Sequence, residues 1–212
     1  MRKLTLLGVA LVAGCASSST VDLNEARRVV GTENSVRIDA QIFSERLSTN
    51  TRIRLTYDIS NERSSPIAIA DIIPETSYDA DTQTVTIAIG SEVPGIQLLP
   101  RLLTIGPGEK KSFSTVARVN IVMARTATPL SRFPNALRLK MHFLNETEQF
   151  QQLIAIPERA IHDPKLADEL FPKWLEKNET VYTNTLPMRW GADPPSDQSP
   201  QTPPGRRRGR SG

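Results

Sequence analysis

The chain has 212 residues, 38% hydrophobic and 5% aromatic, with 16 prolines and one cysteine. That leaves room for one medium domain plus linker or tail, and a lone cysteine excludes an internal disulfide framework. The formal charge of +3 sits at the ends: setting aside Arg2, Lys3, the four arginines of the last seven residues, Asp193 and Asp197, the stretch 16–190 holds 20 Lys+Arg against 21 Asp+Glu, which excludes a basic body built to bind nucleic acid.

Taken in chain order, Arg2 and Lys3 form a positive start to an apolar run over residues 4–13. Ten residues fit a signal-peptide core and are too few to span a bilayer as a helix. The run closes on Leu11-Val12-Ala13-Gly14-Cys15. This segment resembles the lipobox of bacterial lipoproteins. The resemblance implies a signal peptide over 1–14, a Cys15 acylated with palmitate-type chains as the mature N-terminus, and a place in the cell envelope, held to the membrane. Each buried CH₂ contributes ~0.8 kcal/mol, so several chains make a long-lived anchor. The next residue is Ala16 rather than Asp, which in a Gram-negative host resembles a signal for the periplasmic face of the outer membrane. Residues 15–34 are expected to be a tether, with at most a turn or two of helix over 22–30.

From Ser35 the apolar period becomes two, the mark of half-buried strands. Val36, Ile38, Ala40 and Ile42 alternate with Arg37, Asp39 and Gln41; Ile53, Leu55, Tyr57 and Ile59 alternate with Arg52, Arg54, Thr56 and Asp58. Residues 61–66 read as a turn, 67–70 as a strand, 78–83 as a hairpin connection, 84–90 as a strand and 102–105 as another. Gly106-Pro107-Gly108-Glu109 is a tight turn. A strand follows from Lys111 with Phe113, Ala117, Val119 and Ile121 on one face. Leu137, Leu139, Met141 and Phe143 alternate with Arg138, Lys140 and His142, and residues 150–156 are expected to form the last strand.

About eight short strands with no intervening helix over residues 35–157 predict an all-β, antiparallel sandwich. A small closed barrel is the rival. Leu55-Thr56-Tyr57-Asp58-Ile59-Ser60-Asn61, Pro66-Ile67-Ala68-Ile69 and Ile105-Gly106-Pro107-Gly108-Glu109 resemble the immunoglobulin-like modules of bacterial envelope proteins. The resemblance is one of pattern, and no Cys…Trp…Cys framework accompanies it.

Residues 158–190 are expected to be a helical segment. Asp163-Pro164 is a helix start, and Leu166, Leu170 and Trp174 make an apolar stripe, which Pro172 should kink or shorten. Trp190 stands alone before residues 191–212, a Pro- and Arg-rich stretch expected to be disordered. Arg206, Arg207, Arg208 and Arg210 could bind an anionic surface or serve as a solubilising end.

Chemistry-bearing patterns are sparse. His142 falls on the polar face of a predicted strand and His162 precedes a helix cap, a poor basis for a zinc site. No nucleophile-elbow, zinc-protease or phosphate-loop motif occurs. Asp79 and Asp81 suit turn chemistry better than calcium. The Asn145-Glu146-Thr147 and Asn178-Glu179-Thr180 sequons read as chance. The expectation is a non-enzymatic envelope lipoprotein with no catalytic residue, metal, cofactor or small-molecule substrate, whose sandwich edges, loops or helix engage a protein partner. Alternatives are an envelope protease inhibitor using the 126–132 loop, and a cell-wall or carbohydrate binder, for which aromatic platforms are scarce.

Overall fold

The computed structural model describes residues 27–95, 98–121 and 133–191. Its strands are β1 (Arg27–Glu33), β2 (Val36–Ile42), β3 (Arg46–Leu47), β4 (Asn50–Asn61), β5 (Ile67–Ala70), β6 (Glu75–Asp79), β7 (Thr84–Ile89), β8 (Leu99–Pro100), β9 (Leu102–Ile105), β10 (Lys110–Asn120), β11 (Ala136–Leu144), β12 (Ala160–Ile161), β13 (Asn178–Tyr182), β14 (Leu186–Pro187) and β15 (Arg189–Trp190). A 3₁₀ turn (Thr147–Phe150) leads into the short α1 (Gln151–Ile154), and α2 spans Pro164–Lys177.

The fold is an all-β sandwich. One sheet has the order β1-β2-β4-β10; the other runs β6-β7-β11-β5-β9, with β13 and β14 also on β11. Alternation sets the layers. Ile53, Leu55 and Ile59 of β4 point inward with Val36, Ile38, Ala40 and Ile42, and meet Val85, Ile87, Leu137, Leu139, Met141 and Phe143 of the opposite sheet in one core. Each fully buried aliphatic side chain there is worth roughly 1.5–3 kcal/mol relative to exposure.

A third layer covers the second sheet. β5 reads Ile-Ala-Ile-Ala and is buried at all four positions. Its isoleucines face the main core, and its alanines face a second cluster of Leu99, Leu102, Leu144, Phe150, Leu153, Leu166, Leu170 and Trp174. Small residues there let α1 and α2 approach the sheet. Asp163 caps α2, its side chain accepting from the Leu166 N–H at 3.0 Å, and Pro164 occupies the first turn as expected. Trp174 packs edge-on to Phe150 and donates from Nε1 to the Ser91 carbonyl at 3.2 Å.

Several expectations need correction. The segment expected to tether residues 15–34 already contains β1, paired with β2 from Arg27↔Ile42 to Glu33↔Val36. Only Val29 and Gly31 of that strand are buried, too few for its alternation to show, and Gly31 is required because a Cβ there would lie 2.2 Å from the Tyr182 carbonyl oxygen. The last strand expected at 150–156 is instead the 3₁₀ turn and α1: Phe150 and Leu153 are spaced three apart and both face the helix layer. The sandwich does not end at 157, since β13 and β14 return from the supposed helical segment to pair with β11. Pro172 lies inside the short α2, which continues past it to Lys177. Not every pair is antiparallel: β7 and β11 run parallel from Ala136↔Thr84 to Met141↔Ile89. Trp190 is not alone; it stacks on Phe133 at 5.1 Å.

At one pole of the sandwich Asn61 ties two loops together. It is buried, its Nδ2 donates to the carbonyls of Ser65, Ile105 and Gly106 at 2.9–3.1 Å, and its Oδ1 accepts from the Arg63 N–H. These are the segments that carried the immunoglobulin-like resemblance.

Candidate interaction surface

Cys15, Arg206, Arg207, Arg208, Arg210 and the 126–132 loop all lie outside the described residues. What the described part offers is two adjoining concavities and one strand edge.

The first concavity is an open groove of about 480 Å³ between the chain after β5 and the chain before β8. Ile72, Ile73, Val93, Pro94, Leu98 and Pro100 line it, and Ile73, Val93 and Leu98 are 67%, 43% and 57% exposed. Large aliphatics exposed singly are ordinary; three converging on one groove are not. They escape notice in the sequence because they sit beside Pro74 and Pro94, where no alternation runs. The rim is set by Asp71, which accepts from Arg101 at 2.6 Å and Arg159 at 2.9 Å. Burial pushes the Asp71 carboxyl up, but the two guanidiniums more than offset it and hold it below the usual carboxylate range.

The second concavity, about 350 Å³, shares Glu75, Ser91 and Val93 with the groove and is of mixed character, lined also by Thr86, Ala88, Glu92, Lys140 and His142. His142 is not on a solvated face as expected: it is 3% exposed, because the strand after α2 brings Asn178 and Thr180 over the outer side of β11. The Asn178 amide lies 3.3 Å and the Thr180 hydroxyl 3.1 Å from Nδ1. Nε2 lies 3.9 Å from the Glu92 carboxylate. Burial, with the Lys140 charge adding, pushes the His142 pKa down to about 4, against an opposing pull from Glu92. A neutral, enclosed imidazole with its second nitrogen held by the protein is a packed core histidine. Among the described residues no group of three or more His, Cys, Asp or Glu side chains could hold a metal ion.

Asp79 and Asp81 make a turn, with the Asp79 carboxylate accepting from the Asp81 N–H at 2.9 Å and the Thr82 hydroxyl at 2.8 Å. His162 is exposed and remote in sequence and pairing from His142. Both sequon asparagines are engaged, Asn145 with Glu179 and Asn178 with His142.

The third feature is an edge. β1 is closed off by Asn184, whose N–H donates to the Val30 carbonyl at 3.0 Å while its Oδ1 accepts from the Val30 N–H at 2.7 Å. β10, at the other edge of the same sheet, is 11 residues long and has no strand partner beyond β4 among the described residues. The Thr76 hydroxyl donates to the Arg118 carbonyl there at 2.9 Å. Lys110, Lys111 and Arg118 guard the ends of that edge, leaving the neutral stretch Ser112–Val116 between them.

Among the described residues no helix is long and apolar enough to cross a membrane. The sequence matches no known family and no curated protein.

Proposed function

We propose that this protein is a non-enzymatic lipoprotein of the cell envelope, held to the membrane through acylated Cys15, whose sandwich docks a protein partner. The observation that carries the tether is the leader, in which a basic start, an apolar run of ten and small residues end in register on the only cysteine. The partner reading is supported by the groove at Ile73, Val93 and Leu98. It is open and mostly apolar; of the charged residues that line it, Asp71 is committed to Arg101 and Arg159, which leaves Glu75 at its border with the second concavity. That arrangement suits an apolar segment of another chain better than a small polar ligand.

Intact-mass measurement and membrane fractionation of the parent and of Cys15→Ser test the tether. The parent should carry the mass of acyl chains and sediment with membranes, and the variant should do neither; identical behaviour refutes it. In-cell crosslinking with mass spectrometry, comparing the parent with the Ile73→Asp/Leu98→Asp variant, tests the groove. The parent's main crosslinked partner should be lost in the variant, and an unchanged crosslink profile rejects the groove as the docking site.

A further inference from the structure

The arginines of the sandwich divide into two populations by position. At the pole formed by Asn61 and the β1–β2 turn, cationic side chains are paired: Arg63 with Glu179, Lys110 with Asp58, Lys111 with Glu109 and Lys177 with Glu146. Toward the opposite pole Arg46, Arg52, Arg54, Arg118 and Arg189 make no ion pair or side-chain hydrogen bond among the described residues. The last four are exposed. Arg52 and Arg118 stand directly opposite one another on β4 and β10, with Arg54 two residues along the same outward face. Like charges in that relation repel across roughly 5 Å, and among the described residues no carboxylate forms an ion pair with them. The nearby Asp79 carboxylate is held by its own turn.

The described chain ends at this pole and begins midway along the same sheet. β1 begins at Arg27, paired with Ile42, which is itself paired with Leu55 beside Arg54. Gly191 leaves where its N–H donates to the Leu47 carbonyl at 2.8 Å, and Arg189 pairs with Arg46 across β15 and β3. Cys15 lies twelve residues before Arg27, so a fully extended chain places it at most about 40 Å away. A tether of that length lets the pole that carries the arginines rest against the membrane reached through Cys15.

We infer that this arginine pole is the surface that faces the membrane, and that its ligand is the phosphate of anionic lipid headgroups. The inference rests on the lipoprotein reading for its geometry. The acyl anchor fixes proximity; the arginines fix orientation, and so turn the Asn61 pole away from the bilayer. Guanidiniums suit this role because their donor fork matches phosphate oxygens, and an anionic surface strengthens attachment by about five-fold per basic side chain near it.

The test uses the processed chain, residues 15–212 with Cys15→Ser, and vesicles of phosphatidylcholine alone or mixed with phosphatidylglycerol. This chain has no acyl group, so its result does not depend on whether Cys15 is acylated. It should bind the mixed vesicles and not the neutral ones, more weakly as salt rises. R52Q/R54Q/R118Q should lower binding on the order of a hundred-fold, and Arg118→Gln alone, which relieves the Arg52 repulsion, about five-fold. K110Q/K111Q, at the paired pole, should leave it unchanged. The same losses should appear in a background where Arg206, Arg207, Arg208 and Arg210 are all Gln. Equal binding to neutral vesicles, parental binding by the folded triple variant, or an equal loss in K110Q/K111Q overturns the inference.

Discussion

Lowering the pH from 7 to 5 should destabilise the folded domain by about 2 kcal/mol through His142 alone. The fold holds this ring neutral, with a pKa pushed down to about 4 by burial and by Lys140. In the unfolded chain the same ring protonates near the ordinary value of 6.5. Between those values the unfolded state binds the extra proton, so stability falls as pH falls through 6.5 and the loss is complete below about 4. The full gap corresponds to about 3 kcal/mol, and the part of it crossed between pH 7 and pH 5 to about 2. The assay is urea unfolding at pH 7, 6 and 5 for the parent and His142→Gln, which keeps a polar group in the site and cannot protonate. Subtracting the two slopes cancels every other titrating group. The parent should lose about 2 kcal/mol more than the variant over this range. Parallel slopes would show that the ring is solvated in the folded protein, against its 3% exposure.

Trp174→Ala removes a buried indole, its edge contact with Phe150 and its bond to the Ser91 carbonyl. Equilibrium unfolding should show a loss of about 3–5 kcal/mol, with the helix layer loosened first in hydrogen exchange. Asn61→Ala leaves three loop carbonyls and the Arg63 N–H without their partner, and should cost about 2–3 kcal/mol by the same measurement. Asp163→Ala deletes the cap on the Leu166 N–H and should lower stability by about 1 kcal/mol, with little change in the circular dichroism of the sheets. A change below a few tenths of a kcal/mol in the last variant would mean that water replaces the cap without cost.

The strands of the core were legible because each needs only local information. A β4 that reads Ile-Arg-Leu-Thr-Tyr-Asp-Ile buries one side and wets the other whatever it pairs with, so period two announces both the strand and its inward face. The cap at Asp163, the stripe on α2 and the turn at Asp79 were legible for the same reason: the groups that satisfy one another lie within four residues. Elements whose partner is distant in sequence left no such signal. β1 buries only Val29 and Gly31; β13 is a strand because β11 lies beside it; Phe150 and Leu153 are helical because the alanines of β5 leave room for them.

The surfaces follow the same division. The lipobox-like run that ends on Cys15 and the charge balance of the chain are readable one residue at a time, since each depends on composition and order alone. The burial of His142, the convergence of Ile73, Val93 and Leu98 on one groove, and the gathering of Arg46, Arg52, Arg54, Arg118 and Arg189 toward one pole depend on which strands become neighbours. That choice is made by packing between sheets that contact one another across most of the chain, and only the tertiary structure decides it.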